Sequence, residues 1–196
     1  MLRHLSASAL AVFVLAACMP ADEGTRDGAP GTTTPAPDVA EAPPPAPGAA
    51  SWTITLEGAG PVRVGMPLAE AAAALGATPD TAAAAGRCDY LRPAGGPPGV
   101  KVMVNEGSVA RVEVDSGAVR TAEGAGIGDT EARVRALYAG RVTEMPHKYT
   151  SGRYLVVAPQ ASAAGDDRLV FETDGTAVTR YRAGRLPEVE WVEGCS

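Results

Sequence analysis

The sequence predicts an α+β domain, two divergent helix-plus-β-meander units packed together around antiparallel sheet. Three observations predict it. Apolar and polar residues alternate over short runs, as at Trp52-Thr53-Ile54-Thr55-Leu56 and from Val100 to Val104, which is the period of half-buried strands. Two short segments carry apolar residues at helical spacing, Leu68, Ala71, Ala72 and Leu75 after Gly65, and Val134, Leu137 and Tyr138 after Gly128. Turn pairs, Glu106-Gly107 and Asp174-Gly175, separate strand-like runs. The expected units are residues 52–118 and 119–196, behind a signal peptide at 1–18 and a Pro/Ala-rich tether at 19–51.

The chain opens with a short positive region, Arg3 and His4, followed by an apolar run from Leu5 to Ala17. The run is shorter than the ~20 apolar residues of a spanning helix. It ends in Leu15-Ala16-Ala17-Cys18, a leucine three residues before a cysteine with two small residues between. This pattern resembles the lipobox of bacterial lipoproteins. The resemblance implies diacylglyceryl transfer to Cys18, cleavage just before it, and a further acyl chain on the new amine. Two or three chains at ~0.8 kcal/mol per buried CH₂ hold a protein on a membrane where one does not. The implied location is the cell envelope. Met19, where an aspartate would favour inner-membrane retention, leans to the outer membrane facing the periplasm. From Ala21 to Ala50 the chain is rich in Pro, Ala, Gly and Thr with no apolar period. That composition predicts a disordered spacer with polyproline II character.

The 145 residues from Trp52 onward suit one domain or two small packed ones. Trp52, Ile54 and Leu56 set the buried face of a first strand, and Glu57 to Pro61 is a turn. Pro67 suits the first helical position, where a missing N–H is no loss, and Gly76 suits the closing position. Thr78 to Gly86 reads as a small, polar connection, Arg87 to Leu91 as a strand, and Pro93 to Gly99 as a loop. Val100 to Asn105 and Ala110 to Val114 read as a hairpin about Glu106-Gly107, with Arg111 and Glu113 off the apolar face.

The pattern then recurs. Gly124 to Gly128 is a glycine-rich turn. Asp129 is expected to cap a helix with Glu131 in its first turn, and Gly140 to stop it. Tyr154 to Val157 reads as a strand and Ala158 to Asp167 as a loop. Leu169 and Phe171 face one way in the next strand, and Val178 to Ala183 returns, with Val178, Arg180 and Arg182 on one face. Val189 and Trp191 read as a short last strand, with Trp191 in the core.

Val64-Gly65-Met66-Pro67-Leu68-Ala69-Glu70 matches Ile127-Gly128-Asp129-Thr130-Glu131-Ala132-Arg133 in position and role. The stretch from Val102 to Gly107 echoes that from Leu169 to Gly175. Together they read as a divergent internal duplication. A glycine, a short amphipathic helix and a β-meander, in tandem, resembles the SmpA/OmlA (BamE-like) lipoproteins and the β-lactamase-inhibitor-protein superfamily. The second unit departs from the first with Arg133 where the first has Glu70. The resemblance implies a binder or assembly factor and carries over no catalytic or binding residue.

Besides Cys18 the chain has two cysteines, Cys88 and Cys195. An even pair in an exported chain predicts one disulfide. From Trp52 onward 15 Lys+Arg face 18 Asp+Glu, without a basic stripe, which argues against nucleic acid as a partner. No metal-ligand spacing and no nucleophile motif is present, so neither cofactor nor metal is expected and the function expected is non-enzymatic. Met145, His147, Lys148 and Tyr149 gather a thioether, imidazole, cation and phenol around Pro146, and form the candidate partner-binding loop; a plain solvated connection is the alternative. Arg180 and Arg182 suit an acidic partner or neighbouring sheet carboxylates. The expected partners are a membrane, through the lipid anchor, and an envelope protein. Inhibition of a periplasmic or secreted hydrolase and binding of a cell-wall glycan are the other readings.

Overall fold

Alternating burial sorts the residues that the computed structural model describes, 52–160 and 165–196, into three helices and two sheets. The fold class is α+β. The signal peptide, Cys18 and the tether lie outside the described residues.

Strand β1 (Thr53–Thr55) buries Ile54 completely and leans Trp52 and Leu56 on the core. The turn that follows is itself paired, as β2 (Gly58–Ala59) and β3 (Val62–Arg63). Helix α1 (Leu68–Leu75) buries Ala71, Ala72 and Leu75. Pro67 stands one residue before it, in extended backbone at ψ 144°, rather than inside the first turn. Gly76 is left-handed at φ 59°, and the Ala77 N–H reaches back 2.9 Å to the Ala72 carbonyl, occupying an end group the helix leaves open. Within the expected connection lies a one-turn helix, α2 (Thr81–Ala84). Its determinant is a cap, since the Asp80 carboxylate accepts from the N–H groups of Ala82 and Ala83 at 2.7 and 3.0 Å.

Strands β4 (Asp89–Leu91), β5 (Val100–Asn105) and β6 (Ser108–Val114) form a first meander. Strand β7 (Arg120–Thr121) runs parallel to β1 and completes a four-stranded sheet in the order β3-β2-β1-β7. Helix α3 (Glu131–Leu137) buries Val134, with Tyr138 buried just beyond its end. Its cap is Thr130, whose hydroxyl accepts from the Arg133 N–H at 3.2 Å. Asp129, the expected cap, accepts from the Gly126 N–H and pairs with Arg120 and Arg133 instead. Strands β8 (Val142–Pro146), β9 (Arg153–Val157), β10 (Asp167–Thr173) and β11 (Val178–Arg185) form a second meander. The two meanders meet where β6 pairs antiparallel with β11, giving a seven-stranded sheet in the order β4-β5-β6-β11-β10-β9-β8. At this seam Gly184 lies opposite Arg111, and a Cβ on it would come within 2.3 Å of the Arg111 Cβ.

One face of the large sheet carries Val102, Val112, Leu155, Leu169 and Phe171 into the core shared with α1, α3 and the small sheet. The other face departs from expectation. The alternation places Arg111 and Met103 on a polar, open side, yet both are buried. The cause is the C-terminal segment. Val189 and Trp191 do not form a strand. Pro187, which has no N–H to donate to a ladder, follows β11 through a cis peptide, and Glu188–Glu190 makes a 3₁₀ turn. The segment crosses the sheet and seals Val189 against Tyr154, Val156 and Val170. Trp191 is only half-buried. The Cys88 and Cys195 sulfurs are 2.10 Å apart, which ties the end of the segment to the chain just before β4.

Candidate functional site

The residues singled out around Pro146 are not one loop. Val142–Pro146 is the edge strand of the large sheet, so Met145 is a strand residue, and His147, Lys148 and Tyr149 lie in the turn to β9. Val-Thr-Glu-Met-Pro has no apolar alternation because its side chains stand exposed along the edge from Thr143 to Pro146. The hairpin register is set by Met145 opposite Tyr154 and Pro146 opposite Arg153.

His147 is held on three sides. Its ring stacks on Tyr154 with centroids 4.6 Å apart and planes 19° apart. Its Nδ1 accepts from the Tyr149 N–H at 3.1 Å. The ring proton therefore sits on Nε2, which faces Glu172 Oε2 at 3.4 Å. With both nitrogens engaged, His147 has no lone pair left for a metal. No group of three or more His, Cys, Asp or Glu suited to a metal ion occurs among the described residues.

Glu172 is the hub of the site. It is 5% exposed and bonds to buried Arg182 through one oxygen. The other oxygen faces His147 and the Arg180 Nε, the latter at 3.5 Å. Thr179 donates its hydroxyl to the Glu172 carbonyl at 3.2 Å, so it is not a free nucleophile. Of the two arginines expected on one face with Val178, only Arg182 is buried. Val178 turns to the core because a bulge at Glu172/Thr173 shifts the register.

The hairpin tip also clasps the C-terminal segment. Lys148 Nζ lies 2.9 Å from Glu193, and the Tyr149 hydroxyl donates to the same carboxylate. These contacts hold the Glu193 carboxyl below its ordinary range, Tyr149 contributing most and Lys148 next. Farther along the sheet, Arg111 donates through Nη1 to the carbonyls of Glu188 and Trp191 at 2.6 and 2.7 Å, and Arg182 Nε donates to the Val189 carbonyl at 2.5 Å.

Three concavities flank this arrangement, one of about 750 Å³ beside the clasp of Lys148 and Glu193 and two on the hairpin. A groove of about 460 Å³ runs between the tip of the β8–β9 hairpin and the β10–β11 hairpin, with His147, Tyr149, Glu172 and Arg180 on its walls. A notch of about 140 Å³ lies against Met145, Tyr154, Val156 and Val170, with Arg182 and Glu190 also on its lining. Val192 of the C-terminal segment borders both. Comparison with protein-family models, with curated proteins and with solved structures finds no match.

Glu172, Glu193 and Val192 are members of the site that sequence reasoning missed. For Glu172 a signal existed. A hairpin about Asp174-Gly175 brings Glu172 across from Arg180, the pairing observed. For Glu193 and Val192 there was none, because the course of the last ten residues over the sheet depends on a buried face that alternation had marked as open.

Proposed function

We propose that this chain is a lipid-anchored lipoprotein of the cell envelope, acylated at Cys18, on the outer membrane and facing the periplasm. Its α+β domain serves protein–protein binding or envelope assembly and catalyses no reaction. One observation carries the binding reading. Met145, 39% exposed, and Tyr149, 60% exposed, are the only exposed large apolar side chains among the described residues, and they stand on one hairpin beside a groove and a notch. Exposed aromatic and Met side chains beside a concavity are what binding surfaces concentrate. The lipobox supports the anchor, and pairing of Cys88 with Cys195 fits an oxidising compartment. The engagement of both His147 nitrogens supports the non-enzymatic part.

The same reading treats the domain as two divergent units, 52–118 and 119–196. Matching backbone contacts support it. Gly65 and Gly128 are both left-handed, at φ 82° and 87°. The Gly65 N–H donates to the Val109 carbonyl at 2.8 Å, and the Gly128 N–H to the Val178 carbonyl at 2.9 Å. Val109 N–H answers to Met66, and Val178 N–H to Asp129, both at 2.9 Å. Pro67 bridges Ser108 as Thr130 bridges Ala177. Each helix start is thus pinned to the first residues of a strand that follows a hairpin turn.

Crosslinking in intact cells, wild type against Cys18→Ala, followed by mass spectrometry, tests the proposal. The expected result is one envelope protein captured only by the anchored form. Equal backgrounds from both forms overturn the binding reading, and a saturable turnover by the purified protein, lost on a single polar substitution, overturns the non-enzymatic one.

A further inference from the structure

Resting on that binding reading, we infer that the hairpin surface takes a segment of a partner protein carrying an acidic side chain next to an apolar one. The acidic half follows from Arg180. Its side chain is 58% exposed on the groove wall, and the guanidinium is aimed by the contact of Nε with Glu172. Among the described residues its terminal amino groups have no acceptor, and a guanidinium presents such paired donors in the fork that a carboxylate matches. Arg182 does not line the groove, so the acid is read by the free fork of Arg180 rather than by an excess of positive charge on the walls. The other carboxylate on the groove, Asp174, is turned onto its own hairpin, accepting from the N–H groups of Thr176 and Ala177 at 2.8 and 2.9 Å.

The apolar half follows from the notch. Met145, Val156, Val170 and Val192 give it aliphatic walls, and its volume of about 140 Å³ accommodates one aliphatic side chain. Tyr154, Arg182 and Glu190 complete its lining, so the notch is mainly but not wholly apolar. Val192 is the wall common to groove and notch, so the two side chains of the partner lie close together along its chain. The notch reaches Met145 on β8, the last strand of the sheet, so the surface is open to an extended segment from the side.

Selection of displayed random heptapeptides on the immobilised full-length protein, held in mild detergent, tests this. The expected pool is enriched in Asp or Glu one or two positions from Leu, Ile, Val, Met or Phe. The best synthetic heptapeptide should bind roughly tenfold more weakly to Arg180→Ala. Arg180→Lys, which keeps the charge and loses the fork, should fall between. Met145→Ser should weaken the same peptide while leaving its acidic preference intact. Thermal melting of each variant shows that it is folded. Absence of enrichment, a pool without acidic residues, or equal binding to Arg180→Ala overturns the inference. Anchoring-dependent capture in cells that survives Arg180→Ala sinks the inference alone, whereas loss of specific capture by the wild type sinks the binding reading beneath it.

Discussion

Replacing both members of the Cys88–Cys195 pair by serine should lower stability by about 4.8 kcal/mol, almost all of it through the unfolded chain. The pair closes a loop with a sequence separation of 107, and chain entropy for that length gives about 16 cal/mol/K, hence the figure at 25 °C. The folded state should change little. The C-terminal segment keeps the Arg111 bonds to the carbonyls of Glu188 and Trp191, the Arg182 bond to that of Val189, and buried Val189 itself. For the 145 residues from Trp52 onward, an unfolding entropy near 0.3 kcal/mol/K converts the loss to a fall in melting temperature of roughly 15 °C. Circular-dichroism melts of the oxidised protein and the double variant measure it, and a thiol assay on the denatured protein reports whether the pair is bonded at the start. A fall below roughly 5 °C would refute the loop-entropy account. So would a fall of the expected size accompanied by amide exchange in 188–193 as fast as in a free peptide, since the segment would then depend on the disulfide for its place.

Glu172→Ala leaves Arg182 buried without its carboxylate and should cost about 3–5 kcal/mol in urea unfolding, whereas Arg180→Ala, at the exposed end of the same group, should cost less than ~1 kcal/mol. Burial works against the Glu113 charge, but Arg111, the Tyr90 hydroxyl and Lys101 outweigh it and hold the carboxyl below 4.5. The unfolded state therefore binds this proton first. The stabilisation is complete above the unfolded pKa and is lost as pH falls through the folded one, so Glu113→Gln should flatten the acid limb of a stability–pH curve. A slope unchanged by that substitution would refute the assignment. Gly65→Ala and Gly128→Ala place a Cβ in open space at nearly the same positive φ, so each should cost about 1–2 kcal/mol, from backbone conformation alone. Costs in denaturant melts that differ more than twofold would contradict the equivalence of the two positions.

The elements legible in the sequence were those with one buried face. Val100 to Val104, Val112 with Val114 and Leu169 with Phe171 alternate because their apolar side meets α1, α3 and the small sheet, whereas a bulge at Met103/Val104 gives the core place expected of Ala110 to Val109. Both longer helices were legible from spacing, and Gly76 from the left-handed closing turn. What escaped has local physical reasons. Strand β8 is an edge whose exposed side chains are free of any pattern. The one-turn α2 depends on a single Asp80 cap. Thr130 and Asp129 are both competent caps one residue apart, and the choice fell to the contacts of Asp129 with Gly126 and Arg120. Of the candidate site, the hairpin around Pro146 was legible as an unusual concentration of side-chain chemistry, but its connection to Glu172 and Glu193 required pairing across 25 and 45 positions.

The segment after β11 decides where a partner can engage this sheet. Arg111 and Arg182 sit on adjacent strands in the middle of a face that alternation alone leaves to solvent. Glu113 and Glu172 bond to these arginines, and the carbonyls of Glu188, Val189 and Trp191 and the Tyr90 hydroxyl accept from them as well. Two buried guanidiniums satisfied in this way are costly to uncover, because displacing the segment would strip acceptors from both at once. The middle of the face is therefore a second interior rather than a docking platform. Next to it the cover gives out: Val192 ends its contact beside the notch, Glu193 reaches only the hairpin tip, and Met145, Tyr149 and Arg180 are left exposed. A partner that uses the seven-stranded sheet has its least costly approach there, at the β8 edge, and substitutions at Arg111 should weaken binding only to the extent that they unfold the protein.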